Sequence, residues 1–490
     1  MTLRIHLLWL FVVVGWLQPD AAHAAATMRQ VILVQNSGWM EPFYVDPKSS
    51  FKPLIAQLSA AAGGDDEVVI GLFNQADAIH ASPQWVYRGP ASHAGLSQAV
   101  NQAHIARKAG GAYADTDFKE ALLGAIEVGL EGHPGIIWIV TNNKNSPNNS
   151  VEVSSRNREF YQLLHDETAI TRIAAFPLKM TVHGKHYQAN GLMLYALAYG
   201  ESASVALQHV LERPELNAVL PEGHVRLKPL TEAAVRFTPT SVKNSAGIGA
   251  GLAADRQTLV LSFDATTVVR TANVQGRFEN LLNPYQIQHA RASLVTPPAI
   301  GLQGNISSQT LQSLNPGQKS EELTLSLSLP PLPSQWSSEV MLRSGYQRQG
   351  AIDIRLDEQQ LRISPNFIAH MDELFPGDPL PDVFLPPANV TSSVTRIPLL
   401  LKVQYPVWPA VVVYGSGLGL LIATVLGIAL LGGARPYTLL IDGQPRHYRL
   451  KPFSSIQVVD DAGLHIATLN RRLVGARLGW VSPEAHVRLK

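Results

Sequence analysis

Apolar runs alternate with amphipathic stretches over the first part of the chain, from Arg29 to about Arg213. Continuous apolar runs predict buried strands at residues 31–34, 68–73, 136–140, 170–176 and 192–198. Apolar positions at helical spacing predict helices at residues 50–62, 92–107, 117–128, 154–165 and 202–211. This alternation predicts an α/β domain over residues 28–215, with a mostly parallel sheet covered by helices on both faces.

A second pattern begins near residue 220, where helical spacing disappears and apolar residues alternate with polar ones. The clearest run has leucine at every second position, at Leu323, Leu325, Leu327 and Leu329. Period-two runs separated by Pro and Gly predict a β-sandwich-like region over residues 220–404. Similar runs around an Asp442-Gly443 turn predict a small β-type domain over residues 435–490.

Two apolar stretches predict targeting and membrane insertion. Residues 1–24 have a basic start, a short apolar run and the small-x-small site Ala22-His23-Ala24, which predicts a cleaved secretory signal peptide. Residues 407–431 contain no charged side chain and exceed the roughly 20 residues that cross a bilayer, which predicts one transmembrane helix. A stripe of small side chains recurs along it at Gly415, Gly419, Ala423 and Gly427. Such a stripe favours close packing against a second helix, from a homodimer or from a partner membrane subunit.

The charge distribution predicts the orientation of this helix. The chain has 39 Lys and Arg against 38 Asp and Glu, so it lacks the basic field of a nucleic-acid-binding protein. Beyond residue 432 there are nine Lys and Arg against four Asp and Glu, which leaves 30 against 34 in the rest. The positive-inside rule therefore places residues 435–490 in the cytoplasm, where a basic tail attracts anionic lipid headgroups.

Cysteine usage bears on the compartment of the larger, outer part. The chain has no cysteine, which excludes structural disulfides and thiolate zinc sites. The layout of the signal peptide, together with the lack of disulfides, suits a bacterial periplasm. We therefore predict a single-pass protein of the bacterial inner membrane, with its N-terminal part in the periplasm.

Three polar segments lie where an open α/β sheet binds its ligands, at the carboxyl ends of strands. Gln35-Asn36-Ser37-Gly38-Trp39-Met40 follows the first strand, Asp115-Thr116-Asp117-Phe118 begins a helix, and Thr141-Asn142-Asn143 follows the central strand. Over about residues 28–215 these segments resemble the von Willebrand factor type A domain. The metal-ion-dependent adhesion site of that family has D-x-S-x-S, a Thr often followed by Asp and Phe, and an Asp at a strand end.

Matching this sequence to the family's site shows a degenerate set of ligands. The five positions are occupied by Gln35, Ser37, Trp39, Thr116 and Asn142. Both carboxylates have become amides and one hydroxyl has become an indole, whereas Mg²⁺ and Ca²⁺ need anionic oxygens. The resemblance therefore implies a protein-binding module with no cofactor. We expect the amide and hydroxyl groups to close a hydrogen-bonded network. Trp39 and Met40 then form an exposed apolar tip, or Trp39 folds back into the core.

Other interpretations stay open at this point. Three nearby carboxylates, those of Glu41, Asp115 and Asp117, are candidates to restore a rearranged Mg²⁺ site and metal-dependent adhesion. A transmembrane sensor, or an envelope-complex assembly subunit that relays to the tail, is a further alternative. Ser37 lies outside a G-x-S-x-G elbow, and no His or acid stands in a recognisable relation to it, so we predict no enzyme activity. The leading prediction is a membrane-anchored periplasmic protein–protein interaction module.

Two further motifs are expected to be turns. His183-Gly184-Lys185-His186 lacks a third metal ligand nearby and predicts a hairpin turn. The glycine-rich segment 247–251 precedes a strand, whereas a dinucleotide-binding loop follows one, so it predicts a flexible turn.

Overall fold

The structure is a computed structural model that describes residues 28–144, 151–243, 247–265, 271–296, 302–307, 309–329, 331–343, 345–376 and 384–490. The predicted signal peptide lies outside the described residues. The chain divides into two units, the first running to Ser262 and including Val268–Pro331 and Arg348–Leu401. The second comprises Phe263–Thr267, Leu332–Gln347 and Lys402–Lys490. The fold is mixed α/β, with several sheets and one long apolar helix.

The first unit begins with a seven-stranded sheet and its helices. Its strands are β1 (Arg29–Gln35), β2 (Glu67–Phe73), β3 (Gln84–Pro90), β4 (Gly135–Thr141), β5 (Ile170–His183), β6 (Gln188–Tyr199) and β7 (Val225–Lys228). Its helices are α1 (Glu41–Val45), α2 (Phe51–Gly63), α3 (His93–Gln102), α4 (Phe118–Gly124), α5 (Val151–Asp166), α6 (Glu201–Leu211) and α7 (Pro214–Val219). A 3-10 turn covers Gly38–Met40, and a π-helical turn covers Ala125–Gly129. Each predicted strand and helix overlaps one of these elements.

The strand directions correct the prediction of a mostly parallel sheet. The order is β3-β2-β1-β4-β6-β5-β7. Only β1 with β2 and β1 with β4 pair in parallel, and the other four pairings are antiparallel. The sequence between β5 and β6 is a four-residue hairpin at residues 184–187, and a connection this short forces the two strands to run antiparallel.

Helices cover both faces of this sheet, as the alternation predicted. On one face, Ile32 and Val34 of β1 belong to a buried cluster that also contains Leu58 of α2 and Leu207 of α6. On the other face the ring of Phe118 on α4 lies 5.6 Å from Phe73 of β2 and 4.9 Å from Phe160 of α5. Asp117 caps the N-terminus of α4 by accepting from the backbone N–H of Glu120, which sets where that helix begins.

Antiparallel strands dominate the following region. The strands are β8 (Val235–Lys243), β9 (Ile248–Leu252), β10 (Leu259–Asp264), β11 (Thr271–Asn280), β12 (Tyr285–Val295), β13 (Gln303–Ile306), β14 (Thr310–Leu314), β15 (Leu323–Ser328), β16 (Tyr346–Ile363) and β17 (Ser393–Gln404). Two short helices accompany them, α8 (Ser338–Arg343) and α9 (Pro365–Leu374). The sheets have the orders β14-β12-β16-β17-β10-β9 and β13-β15-β11-β8.

Side-chain alternation in this region follows the sequence pattern. In β15 the leucines at 323, 325 and 327 are buried while the residues between them are half-buried. The prediction of a flexible turn at residues 247–251 is wrong, because Ile248 begins β9. The isolated glycines did not prevent pairing, because β9 is an edge strand beside β10.

In the second unit, helix α10 (Trp408–Gly432) precedes a small all-β domain. In the described part of the chain α10 alone has the length and apolar composition needed to cross a membrane. The tail contains β18 (Arg435–Ile441), β19 (Gln444–Leu450), β20 (Ser455–Val459), β21 (His465–Arg471), β22 (Ala476–Val481) and β23 (Val487–Leu489). They form two sheets, β19-β18-β23 and β20-β21-β22, around a core that includes Leu439, Leu450, Val458 and Leu469.

Candidate functional site

The candidate site lies where β1 and β4 end. These strands are parallel neighbours with Val34 opposite Val140, so their carboxyl ends meet at the same edge of the sheet. Gln35 is the last residue of β1, and Asn142 directly follows β4. Thr116 joins them from the loop before α4. Sequence matching and strand geometry therefore bring the same residues together at the usual ligand-binding edge of an open α/β sheet.

The side-chain amide of Gln35 occupies the centre of this site. Its Nε2 lies 2.8 Å from Ser37 Oγ, 2.8 Å from Thr116 Oγ1 and 3.0 Å from the carbonyl oxygen of Lys144. The side chain is completely buried. A donor nitrogen is thus surrounded by three oxygens, which is the arrangement of ligands around a small cation.

The orientation of the Gln35 amide follows from its other partners. Its Oε1 accepts from the backbone N–H of Asn142 at 3.2 Å, and this N–H can only donate. The hydroxyl of Thr141 also donates to Oε1. Because the oxygen must face β4, the NH₂ group must face Ser37 and Thr116. Thr116 Oγ1 donates to Ser37 Oγ at 2.7 Å, which completes a network of neutral groups.

The donor set present does not fit a hard divalent cation. Gln35 already places an N–H donor among the oxygens, whereas a hard divalent cation needs acceptor oxygens there, with carboxylates among them. The three candidate carboxylates have other partners. Asp115 accepts from Lys108 Nζ at 2.6 Å, and Asp117 is the cap of α4. Among the described residues no three His, Asp or Glu side chains cluster as metal ligands would.

Glu41, the third candidate carboxylate, holds the hairpin between β5 and β6. Its side chain is buried and accepts from the backbone N–H groups of Lys185, His186 and Tyr187, at 3.2, 2.8 and 3.3 Å. Gly184 makes this approach possible, because a Cβ there would lie 2.7 Å from Glu41 Oε2. The carboxylate therefore fixes the hairpin beside the β1 loop.

Aromatic rings from three segments meet above the network, and we call Trp39, Tyr113, His186 and Tyr187 the aromatic surface. The rings of Trp39 and Tyr187 lie 4.5 Å apart, and those of Tyr113 and His186 lie 6.0 Å apart. Tyr113 packs directly on the β1 loop, since a Cβ at Gly38 would lie 2.4 Å from Tyr113 Cβ. Each segment is held in place by a buried polar contact or by close packing, so the rings are preorganised.

Cationic side chains lie over two of these rings. Lys144 Nζ is 4.8 Å from the centre of the Trp39 ring, and the Arg107 guanidinium is 4.6 Å from the centre of the Tyr113 ring. Lys185 is exposed on the hairpin beside them. The aromatic surface therefore carries positive charge over its rings, which bind cations through their faces.

Trp39 and Met40 do not form the exposed tip that the sequence predicted. Met40 is completely buried in the core between the sheet and α2. Trp39 is half-buried, with its ring against Tyr187 and its indole N–H without an acceptor in the described structure. Its backbone oxygen accepts from Asn142 Nδ2 at 2.9 Å, which ties the loop to the network. The 3-10 turn at Gly38–Met40 rotates these two side chains to different sides.

Sequence matching identified the network but missed most of the surface above it. Tyr113, Lys144 and Tyr187 lie outside the three matched segments, and long-range folding brings them to Trp39. The hairpin predicted at residues 183–186 does form, and it was the one signal that pointed toward Tyr187. The small-residue stripe lies on α10, where, among the described residues, no atom from outside the helix lies within 4 Å of a Cβ position at Gly415, Gly419 or Gly427.

No family model and no curated protein matches the chain. Among solved structures, a von Willebrand factor type A protein from Catenulispora acidiphila is 9% identical, with 77% of this chain and 67% of that chain covered. The TM-score of this match is 0.21.

Proposed function

We propose that this protein is a membrane-anchored module that binds an acidic segment of a partner protein through its aromatic surface. The observation that carries the proposal is a neutral, closed network that supports Trp39 and Tyr187 under the positive charge of Lys144. Aromatic side chains are enriched in the centres of protein interfaces, and positive charge beside them favours an acidic partner. In this proposal the sheet and its helices form a type A-like head without metal.

The rest of the chain positions this head. The β-sandwich-like region over residues 220–404 acts as a spacer, and α10 crosses the bacterial inner membrane. The excess of Lys and Arg beyond residue 432 supports a cytoplasmic tail and a periplasmic head. The module is not an enzyme in this proposal. The groups that donate to Ser37 Oγ are the Gln35 amide and the Thr116 hydroxyl, and neither an amide nor an alcohol is basic enough to take the proton of this hydroxyl.

Site-specific photo-crosslinking of the full chain in intact membranes tests the binding function. A photoreactive residue at Lys185 lies beside Tyr187 and is exposed to a bound partner. Trp39→Ala removes the central ring of the aromatic surface, and we expect about tenfold or more loss of the crosslinked product, as for an interface hot spot. Val205→Ala is the matched control, because Val205 is exposed on α6, outside the aromatic surface.

Two results would contradict this proposal. Equal crosslinking by Trp39→Ala and Val205→Ala would show that the aromatic surface is not the binding site. Loss of the product on chelation of divalent cations would favour the metal-dependent adhesion alternative, since the neutral network should be insensitive to Mg²⁺. A melting temperature that rises with added Mg²⁺ would have the same meaning.

A transmembrane sensor or assembly subunit is the second candidate function. The observation that favours it is the folded tail, whose two sheets enclose their own core of residues such as Leu439, Leu450 and Leu469. A tail used only as an electrostatic anchor needs no such core. Deletion of residues 438–490 separates the candidates. Loss of function with export and membrane insertion intact supports relay to the cytoplasm, and retained function supports a tethered binding module.

A further inference from the structure

One end of the tail domain lies next to the C-terminal end of α10. The guanidinium of Arg471, at the end of β21, donates to the carbonyl oxygens of Gly433 and Leu450. Gly433 directly follows α10, and Leu450 is the last residue of β19. The backbone N–H of Arg471 also donates to the carbonyl oxygen of Ser454 at 2.9 Å. The loops at residues 451–454 and 472–475 are therefore both beside the end of α10, and we call them the proximal loops.

The proximal loops expose large apolar side chains. Phe453 is 79% exposed and Val474 is 81% exposed, with Leu473 beside it at 46%. Phe453 also has a φ of 59°, in the left-handed region that favours Gly and Asn. Neither core packing nor backbone preference accounts for a phenylalanine at this position. Contact with an apolar phase outside the domain does account for it.

The acidic residues of the tail lie at one end of the strands, whereas cations lie at both ends. Arg446 pairs with Asp461, and Arg488 lies opposite Leu440 near the acidic end. Exposed cations lie at the proximal end, at Arg435, Arg449, Lys451, Arg472 and Arg477. The four acidic residues, Asp442, Asp460, Asp461 and Glu484, all follow strands that start at the proximal end, so they lie at the opposite end. Strands of this length separate the two ends by roughly 20 Å, more than the distance over which salt screens charges. The proximal end therefore presents positive charge only.

We propose that the proximal loops dock on the cytoplasmic membrane surface, with Phe453, Leu473 and Val474 in the headgroup region and the surrounding cations on anionic lipid headgroups. This inference rests on the proposed crossing of the membrane by α10, which places the proximal end at the bilayer. Apolar side chains flanked by Lys and Arg are the combination that binds membrane interfaces. The domain is thereby held in one orientation, with its acidic end toward the cytoplasm.

Single-cysteine labelling of the full chain tests this orientation, and the absence of native cysteine makes it direct. Phe453→Cys and Val474→Cys place an environment-sensitive fluorophore on each proximal loop. Leu464→Cys is the matched control, because Leu464 is a 67% exposed aliphatic residue on the loop that contains Asp460 and Asp461. Each protein is reconstituted in vesicles of phosphatidylcholine alone or mixed with an equal amount of phosphatidylglycerol. Quenching by a nitroxide on the lipid chain is compared with quenching by aqueous iodide.

We expect lipid nitroxide to quench the labels at 453 and 474 on the order of threefold more strongly than the label at 464. This difference should be larger in the vesicles that contain phosphatidylglycerol. Equal quenching at the three positions, or equal values in the two vesicle types, would overturn the docking proposal. An alkaline carbonate wash tests separately whether α10 anchors the chain in the membrane, so that a failure of the docking proposal can be told from a failure of the proposed membrane anchor. A chain that stays in the vesicles but gives equal quenching refutes docking alone, and a chain that washes off refutes the anchor and the docking with it.

Discussion

Removal of the Gln35 side chain tests whether the network holds the site together. In Gln35→Ala five groups lose their hydrogen bond to Gln35. Three of them are not bonded to one another: the Thr141 hydroxyl, the Asn142 N–H and the Lys144 carbonyl. Ser37 and Thr116 keep the hydrogen bond between their hydroxyls. At about 1 kcal/mol for each lost partner, the loops become less stable by about 3 kcal/mol.

Hydrogen–deuterium exchange of the full chain measures this change locally. A loss of about 3 kcal/mol corresponds to exchange on the order of 100-fold faster at the Asn142 amide, which donates to Gln35 Oε1. Gln84→Ala is the matched control, because Gln84 lies in β3 with an exposed side chain. The reasoning is refuted if the two variants give the same exchange over residues 141–144, since the Gln35 amide would then contribute nothing to the loop structure.

Two further variants test other buried groups in the first unit. In Glu41→Gln the amide is a poorer acceptor for the three hairpin N–H groups, and we expect exchange over residues 184–187 to rise by about tenfold or more, with the exposed Glu222→Gln as control. Burial, with the charges of Arg226 and Arg172, lowers the pKa of His224 from 6.5 to about 4. As the pH falls, His224 takes up a proton in the unfolded chain before it does so in the folded chain. The free energy of unfolding that neutral His224 contributes above pH 6.5 is therefore lost between pH 6.5 and 4. After allowance for partial exposure the loss is about 2 kcal/mol, visible as a falling melting temperature. In His224→Gln the melting temperature should fall less steeply between pH 6.5 and 4. An unchanged dependence on pH would show that other groups cause it.

The order and type of most elements could be predicted from the sequence, because they depend on local periodicity. Continuous apolar runs became β1, β2 and β4, whose side chains are buried on both faces of the sheet. The period-two leucines became β15, and the uncharged stretch became α10. β3 was missed because its residues are mostly exposed or half-buried, so it shows no apolar run.

The candidate site, too, could be predicted only in part from the sequence. The replacement of two carboxylates by Gln35 and Asn142 is visible in the sequence, and it removes the charge that a hard cation requires. The sequence does not show which groups the other candidate carboxylates contact in the folded chain. Glu41 binds backbone N–H groups of a hairpin 144 to 146 residues away, and no local pattern encodes such a contact.

The sequence by itself thus determined most of the elements, where an apolar span lies and that the matched site positions lack carboxylates. Only the tertiary structure decided that β6 lies between β4 and β5, that Met40 is buried and that Trp39 meets Tyr187 and Lys144. It also placed all four acidic residues of the tail at one end. The physical reason is that periodicity reports which side of an element faces the core, whereas pairing and side-chain contacts depend on segments far apart in the chain.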